Sequence, residues 1–241
     1  LGTQDVANVL NACAKLDATG NPKIVEALAQ RATTRVNDFK PVEVAAVTHA
    51  IIKLSVASRP ALGAIAATVK ERADDFRARQ LATVLHAFSS LTMAYSKLFQ
   101  SLGPAVAANA HLADNHSTVL LLCAYARAGQ PHGQVVQPLL EQLGPQASSL
   151  KAEAQVQVFY ACGRLGLHRQ PQTRHLAELL VEATGSMPAQ HIANCLYSVA
   201  RLRLCEPEHA ALCKALQGRL LRSANLLPLE AQHLANILHA L

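Results

Sequence analysis

Five of the six residues in one evenly spaced series along this chain are basic: Lys15, Lys53, Ser90, Arg127, Arg164 and Arg201. Four residues before each position of that series stand Asn11, His49, His86, Cys123, Tyr160 and Tyr197, and His239 falls in the same phase. Three residues earlier again stand Asn8, Ala46, Thr83, Leu120, Gln157, Asn194 and Asn236. Each set has a chemistry of its own. Cations track phosphates, planar imidazole and phenol rings stack on bases, and amides or hydroxyls hydrogen-bond base edges. Side by side, the three sets would suit a single strand of RNA. The candidate RNA-contacting residues are therefore Asn8, Asn11, Lys15, His49, Lys53, Thr83, His86, Arg127, Gln157, Tyr160, Arg164, Asn194, Tyr197, Arg201, Asn236 and His239.

What could place them side by side is an internal repeat. The stretch QDVANVLNACAKL from Gln4 to Leu16 returns as QHIANCLYSVARL from Gln190 to Leu202. A small residue in its middle, Ala12, has counterparts at Ala50, Ala87, Ala124, Ala161, Ser198 and Ala240. Successive anchors are separated by 38, 37, 37, 37, 37 and 42 residues, read as differences between those numbers. Positions are named below by their number in the first copy, so the three sets above are columns 15, 11 and 8. Column 9 is apolar throughout: Val9, Val47, Val84, Leu121, Val158, Cys195 and Ile237. In-phase copies with several matching columns are the signature of stacked repeats.

Each copy reads as two helices. The leading helix runs roughly from Thr3 to Leu16, and a second, such as 21–36, follows a turn. Proline recurs where the second helix starts, at Pro22, Pro60, Pro171 and Pro207. Its missing N–H needs no partner in the first helical turn. The longer last spacing predicts extra residues in the connection from Ser223 to Pro228. On a helical wheel, Val6, Val9, Leu10, Cys13 and Leu16 gather on one side, flanked by Ala7 and Ala12, small enough for close packing of a neighbour. Columns 8, 11 and 15 fall within about 60° of one another on the opposite side. A hairpin this short cannot bury its apolar faces alone but can do so on its neighbours. The expected fold is all-α: an α-solenoid of about six hairpins plus one further leading helix, forming a single repeat domain over residues 1–241.

Composition agrees and excludes other classes. Hydrophobic residues make up 51% of the 241 residues, enough for a core, while aromatics are only 4% and tryptophan is absent. Alanine and leucine dominate and favour helix. The formal net charge of +6 favours an anionic partner, be it nucleic acid, acidic protein or a membrane surface. The longest apolar run, Val119 to Ala126, is far too short to span a bilayer. None of the six cysteines forms a C-x-x-C pair, and they fall at apolar helical positions, which reads as reduced core thiols. The chain opens without methionine and closes on a helical pattern, so it is read as part of a longer protein, with any targeting peptide outside it.

No phosphate-binding glycine loop, dinucleotide fingerprint, zinc-protease helix or nucleophile elbow is present, and no catalytic role, cofactor or metal is assigned. The stretch CEPEHAALC from Cys205 to Cys213 places His209 and Cys213 one turn apart, but core cysteine is the simpler account. The basic column also has a plainer explanation. Lys and Arg in a last helical turn complement the macrodipole and cap carbonyls. Leu120 and Cys123 make the fourth copy apolar where the others are polar, which points either to a protein contact at that repeat or to a break in the register of a bound strand.

The recurring QDVANVLNACAKL pattern resembles the heptatricopeptide repeats, and is similar to octotricopeptide repeats and to the helical region of FAST-kinase-domain proteins. The best-matching stretches are Gln4 to Leu16, Gln190 to Leu202 and Gln232 to Leu241. The RAP domain often joined to such repeats is not visible. The resemblance implies organellar RNA biology, in mitochondria or alternatively plastids. It implies a non-enzymatic RNA-binding protein, with a structural component of a mitochondrial ribosome holding ribosomal RNA as the first expectation. A transcript stability or processing factor, or a protein–protein scaffold that binds no RNA, are the alternatives. Expected partners are RNA and neighbouring proteins of a large assembly, not DNA and not a membrane.

Overall fold

A computed structural model of the chain describes residues 1–16, 22–91, 95–204 and 210–222. These residues form twelve α-helices and no strand, as the repeat pattern predicts. The leading helices are α1 (Thr3–Lys15), α3 (Pro41–Lys53), α5 (Ala78–Ser89), α7 (Asn115–Arg127), α9 (Ala152–Leu165) and α11 (Ala189–Leu202). The trailing helices are α2 (Pro22–Thr34), α4 (Arg59–Glu71), α6 (Ser96–Asn109), α8 (Gly133–Leu143), α10 (Pro171–Ala183) and α12 (Ala210–Arg222). Pro22, Pro60 and Pro171 open trailing helices as expected, whereas Pro207, the 223–228 connection and the last anchor Ala240 lie outside the described residues. No helix among the described residues is long and apolar enough to cross a membrane.

The chain divides into two compact units, Leu1–Ala124 and Tyr125–Leu241. Within the first, α1 packs on α3 and α3 on α5, while α2 packs on α4 and α4 on α6. Within the second, α9 packs on α11 and α10 on α12. Both units are therefore stacks of hairpins, the arrangement of an all-α solenoid.

The faces of a leading helix follow from burial. Columns 6 and 10 are buried in the first three copies, at Val6, Leu10, Val44, Thr48, Leu81 and Leu85. Column 9 is buried from the second copy onward, at Val47, Val84, Leu121, Val158 and Cys195. In the first copy it is not. Val9 is 41% exposed and Leu16 75% exposed, and Ala12 is also exposed. The helical wheel places Val9 and Leu16 on the core side, and the structure corrects this. The buried stripe of α1 is instead Val6, Ala7, Leu10 and Ala14. Columns 9 and 12 form the flank that meets the preceding leading helix, and α1 has none before it in this structure.

One contact shows why column 12 is small. A Cβ built on Gly163 of α9 would stand 2.8 Å from the Cα of Ser198, the column 12 anchor of α11. The two backbones meet at column 14 of one copy and column 12 of the next.

Both ends of the leading helices repeat as well. In the first unit a side chain at column 5 accepts a hydrogen bond from the backbone N–H three residues earlier. The pairs are Gly2 N to Asp5 Oδ2 at 2.9 Å, Lys40 N to Glu43 Oε2 at 3.0 Å, and Arg77 N to Gln80 Oε1 at 2.8 Å. This is half of a capping box. At the other end, Ser55, Gly129, Gly166 and Arg203 all have φ between 54° and 69°, and all four occupy column 17. The N–H that follows each of them reaches five residues back: Val56 to Ile51 O, Gln130 to Tyr125 O, Leu167 to Cys162 O and Leu204 to Val199 O, each at 3.0 Å. That is a Schellman stop.

Two of these left-handed positions lack glycine, so two are strained. A left-handed conformation costs an L-residue roughly 1–2 kcal/mol. Ser55→Gly and Arg203→Gly are each expected to raise stability by about 1 kcal/mol, less the extra freedom that glycine gives the unfolded chain. Urea unfolding of each variant beside the wild type checks this. A loss at both sites would refute the strained-cap account.

A short 3-10 turn follows most trailing helices, at Val36–Asp38, Ala73–Asp75, Ala110–Leu112, Gly144–Ser149 and Thr184–Ser186. It was not foreseen from sequence. It delivers a buried apolar residue before the next leading helix: Phe39, Phe76, Ala113 and Met187. Arg72 ties two copies together here, donating through Nη1 to the carbonyls of Asn37 at 3.1 Å and Phe39 at 3.0 Å. Its Nε meets Asp75 Oδ2, also at 3.1 Å.

Candidate nucleic-acid interface

The open face of a leading helix is set by what the other faces bury. With columns 6 and 10 inward and columns 9, 12 and 14 against neighbouring leading helices, columns 8, 11 and 15 remain. Every described residue of column 15 is exposed: Lys15, Lys53, Ser90, Arg127, Arg164 and Arg201. Every described residue of column 11 is half-buried: Asn11, His49, His86, Cys123, Tyr160 and Tyr197. In column 8, Asn8 and Gln157 are exposed, while Thr83 and Asn194 are half-buried, as are Ala46 and Leu120. Asn236 and His239 lie outside the described residues.

The local geometry differs between the units. In the first, His49 and Lys53 stand one turn apart on α3. Burial is the larger cause, and the Lys53 charge the smaller, that hold the His49 imidazole below its usual value of 6.5. The neutral ring is thereby favoured near neutral pH, which suits stacking. The sign of the linkage follows. As pH falls below about 6.5 the unfolded chain takes up the proton first, so folding stability drops until the native imidazole also protonates. The wild type should lose more stability than His49→Gln between about pH 7.5 and about pH 5, read from urea midpoints. Equal losses would count against the perturbed imidazole. The Thr83 hydroxyl donates to the Arg79 carbonyl at 3.0 Å, which leaves its oxygen as an acceptor on the open face.

In the second unit the column 11 rings meet. The centroids of Tyr160 and Tyr197 lie 5.3 Å apart with their planes tilted by 51°. Sequence spacing had put the two tyrosines in one column, and the close approach at Gly163 and Ser198 brings them into contact. Gln157 Nε2 donates to Glu153 Oε1 at a long 3.5 Å, and the Asn194 carbonyl accepts from Ser198 Oγ at 2.8 Å. Two further cations lie beside these columns. Arg169 and Arg203 are exposed in the connections that leave α9 and α11, close in sequence to Arg164 and Arg201. The signal is present as HR at 168–169 and RLR at 201–203, but neither arginine falls in column 8, 11 or 15.

The remaining candidate chemistry is sparse. No group of three described His, Cys, Asp or Glu residues is placed to hold a metal. Cys205 and His209 of the possible metal stretch lie outside the described residues, and the Cys213 thiol donates to the Leu204 carbonyl at 3.6 Å. None of the five described cysteines is in a disulfide. Cys162 and Cys195 are buried, but Cys13, Cys123 and Cys213 are only half-buried, short of the full core placement expected. Burial pushes the Cys195 thiol up to about 12, so it is unreactive at neutral pH.

Comparison with protein families adds one finding. A family model of RNA-editing substrate-binding complex 6 proteins matches residues 2–241. The chain belongs to this family. The match to the RNA-editing substrate-binding complex 6 family runs through both units. That family's description speaks of RNA editing and lends nothing to the expected place in a mitochondrial ribosome, nor does it name the heptatricopeptide repeats. A comparison with curated proteins gives no match.

Proposed function

We propose that this chain is a non-catalytic, RNA-binding α-helical repeat subunit of a mitochondrial RNA-editing assembly. It presents columns 8, 11 and 15 of its leading helices to single-stranded RNA. The family description, an RNA-editing substrate-binding complex, supplies the setting, and RNA together with neighbouring proteins are the partners it suggests.

One observation carries the assignment of the face. Among the described residues, columns 8, 11 and 15 are exposed or half-buried in every copy, whereas column 9 beside them is buried from the second copy on. The amides, rings and cations thus share one accessible strip in each unit. The macrodipole explanation of column 15 loses half of its basis. The last carbonyls of α3, α7, α9 and α11 already accept backbone N–H groups from the Schellman stops, so basic side chains are not needed there as caps.

The test is binding of a fluorescently labelled single-stranded RNA across a salt series. Each phosphate neutralised on a single strand contributes a slope of about −0.7 in log K against log salt, so five cations predict roughly −3.5. Doubling the salt would then weaken binding about tenfold. A folded protein that binds no RNA, or binds it with a slope near zero, would leave a protein scaffold as the better account. The apolar pair Leu120 and Cys123, both half-buried on the same strip, is where a protein neighbour would be expected first.

A further inference from the structure

We propose that Tyr160 and Tyr197 form a stacking platform for unpaired bases, with Arg164 and Arg201 holding the phosphates of the stacked nucleotides. This rests on the RNA-binding face proposed above and names the grip its second unit uses. The two units carry the same columns with different chemistry. In the first, column 11 offers Asn11, His49, His86 and Cys123, and column 15 offers Lys15, Lys53 and Ser90. In the second, column 11 offers two phenol rings and column 15 only arginines.

Four observations converge on the tyrosines. Their centroids are 5.3 Å apart at a tilt of 51°, so the two rings are in contact. Both rings are half-buried on the open strip, with part of each left to solvent. The approach of α9 and α11 at Gly163 and Ser198 holds them together without help from a ligand. Finally, Arg164 and Arg201 follow the tyrosines by four residues, so each guanidinium leaves the same helix face one turn on. Both arginines are exposed, and neither is paired with a carboxylate among the described residues. A planar guanidinium binds phosphate through two parallel hydrogen bonds and tolerates an aromatic neighbour, which lysine does less well.

A base laid on either ring would place its own phosphate toward the arginine of the same helix. Stacking of this kind accepts any base but needs it unpaired, so the platform discriminates single strand from duplex rather than one sequence from another. The first unit, with amides, imidazoles and lysines, would contribute charge and hydrogen bonds with less stacking.

The absence of tryptophan makes the test direct, because the chain's fluorescence comes from four tyrosines. Of the other two, Tyr125 is fully buried. Oligouridylate added to the full chain should quench tyrosine emission, and an oligonucleotide of the same length with abasic riboses should quench less and bind more weakly. Tyr160→Leu/Tyr197→Leu should lose about 5- to 150-fold in affinity per stacked base. Its salt slope should stay that of the wild type, because no phosphate contact is removed. Tyr160→Phe/Tyr197→Phe keeps the rings and should bind like the wild type, which separates stacking from a fold defect in the leucine variant. Equal affinity for intact and abasic RNA, or a phenylalanine variant as weak as the leucine one, would overturn the platform while leaving the RNA-binding face standing. Quenching by a proline-rich peptide and not by RNA would give the rings to protein recognition and overturn both. A wild type that binds no RNA removes the face and the platform together.

Discussion

The triple variant Arg127→Glu/Arg164→Glu/Arg201→Glu should bind single-stranded RNA about 50-fold more weakly than the wild type near physiological salt. The estimate takes about 0.7 of a counterion released per phosphate contact, for three contacts at roughly 0.15 M salt, before any repulsion from the new carboxylates. The salt slope should flatten from about −3.5 to about −1.4 over the same substitutions. All three arginines belong to the second unit and all are exposed. None is in the core, so the fold should survive, with a modest penalty. Replacing a cation by an anion in a last helical turn costs about 0.3–1 kcal/mol per site through the macrodipole. The two explanations of the basic column therefore part company. If the arginines serve only helix ends, the variant melts earlier and its RNA affinity is unchanged. If they hold phosphates, affinity and salt slope fall well beyond what the stability loss explains. Retained affinity with a retained slope would move RNA off this strip.

Much of the fold was legible because it is written as a period. A spacing of 37 residues with a small anchor and apolar columns leaves few architectures open, and helix starts were visible in Pro22, Pro60 and Pro171. What the period could not show was direction. Val9 and Val47 are the same letter in the same column, yet one is 41% exposed and the other 2%. Only stacking order decides that, because the preceding copy covers the flank. The left-handed stops were half legible. Gly129 and Gly166 announce them, but Ser55 and Arg203 adopt the same φ with no sequence mark, held by the 3.0 Å bonds from Val56 and Leu204. The columns of the candidate face were legible as columns. That two of their rings touch was not, since it depends on how near α9 and α11 approach, and that is decided by one glycine.

Gly163→Ala should destabilise the protein, although the same change in an open helix would stabilise it. In α4, Gly63 has nothing within 4 Å of an added Cβ, so Gly63→Ala should gain close to the full helix-propensity difference, about 1 kcal/mol. In α9 that gain is present but outweighed. The new Cβ would meet the Cα of Ser198 at 2.8 Å, its Oγ at 2.9 Å and its Cβ at 3.0 Å. The nearest of these is backbone, so no rotamer change relieves the clash, and the two helices must separate. Overpacking of this kind costs about 1–3 kcal/mol, and net of propensity Gly163→Ala should lose about 1–2 kcal/mol, with Gly163→Val losing more. Ser198→Gly on the alanine background removes two of the three close atoms and should restore part of the loss, a coupling readable in a double-mutant cycle. The consequence reaches the strip above. Separating α9 from α11 draws Tyr160 away from Tyr197, so Gly163→Ala should weaken RNA binding while leaving every cation in place, and the salt slope should hold. A Gly163→Ala protein as stable as the wild type would mean that the helices yield without cost, and the small column would then need another reason than close packing.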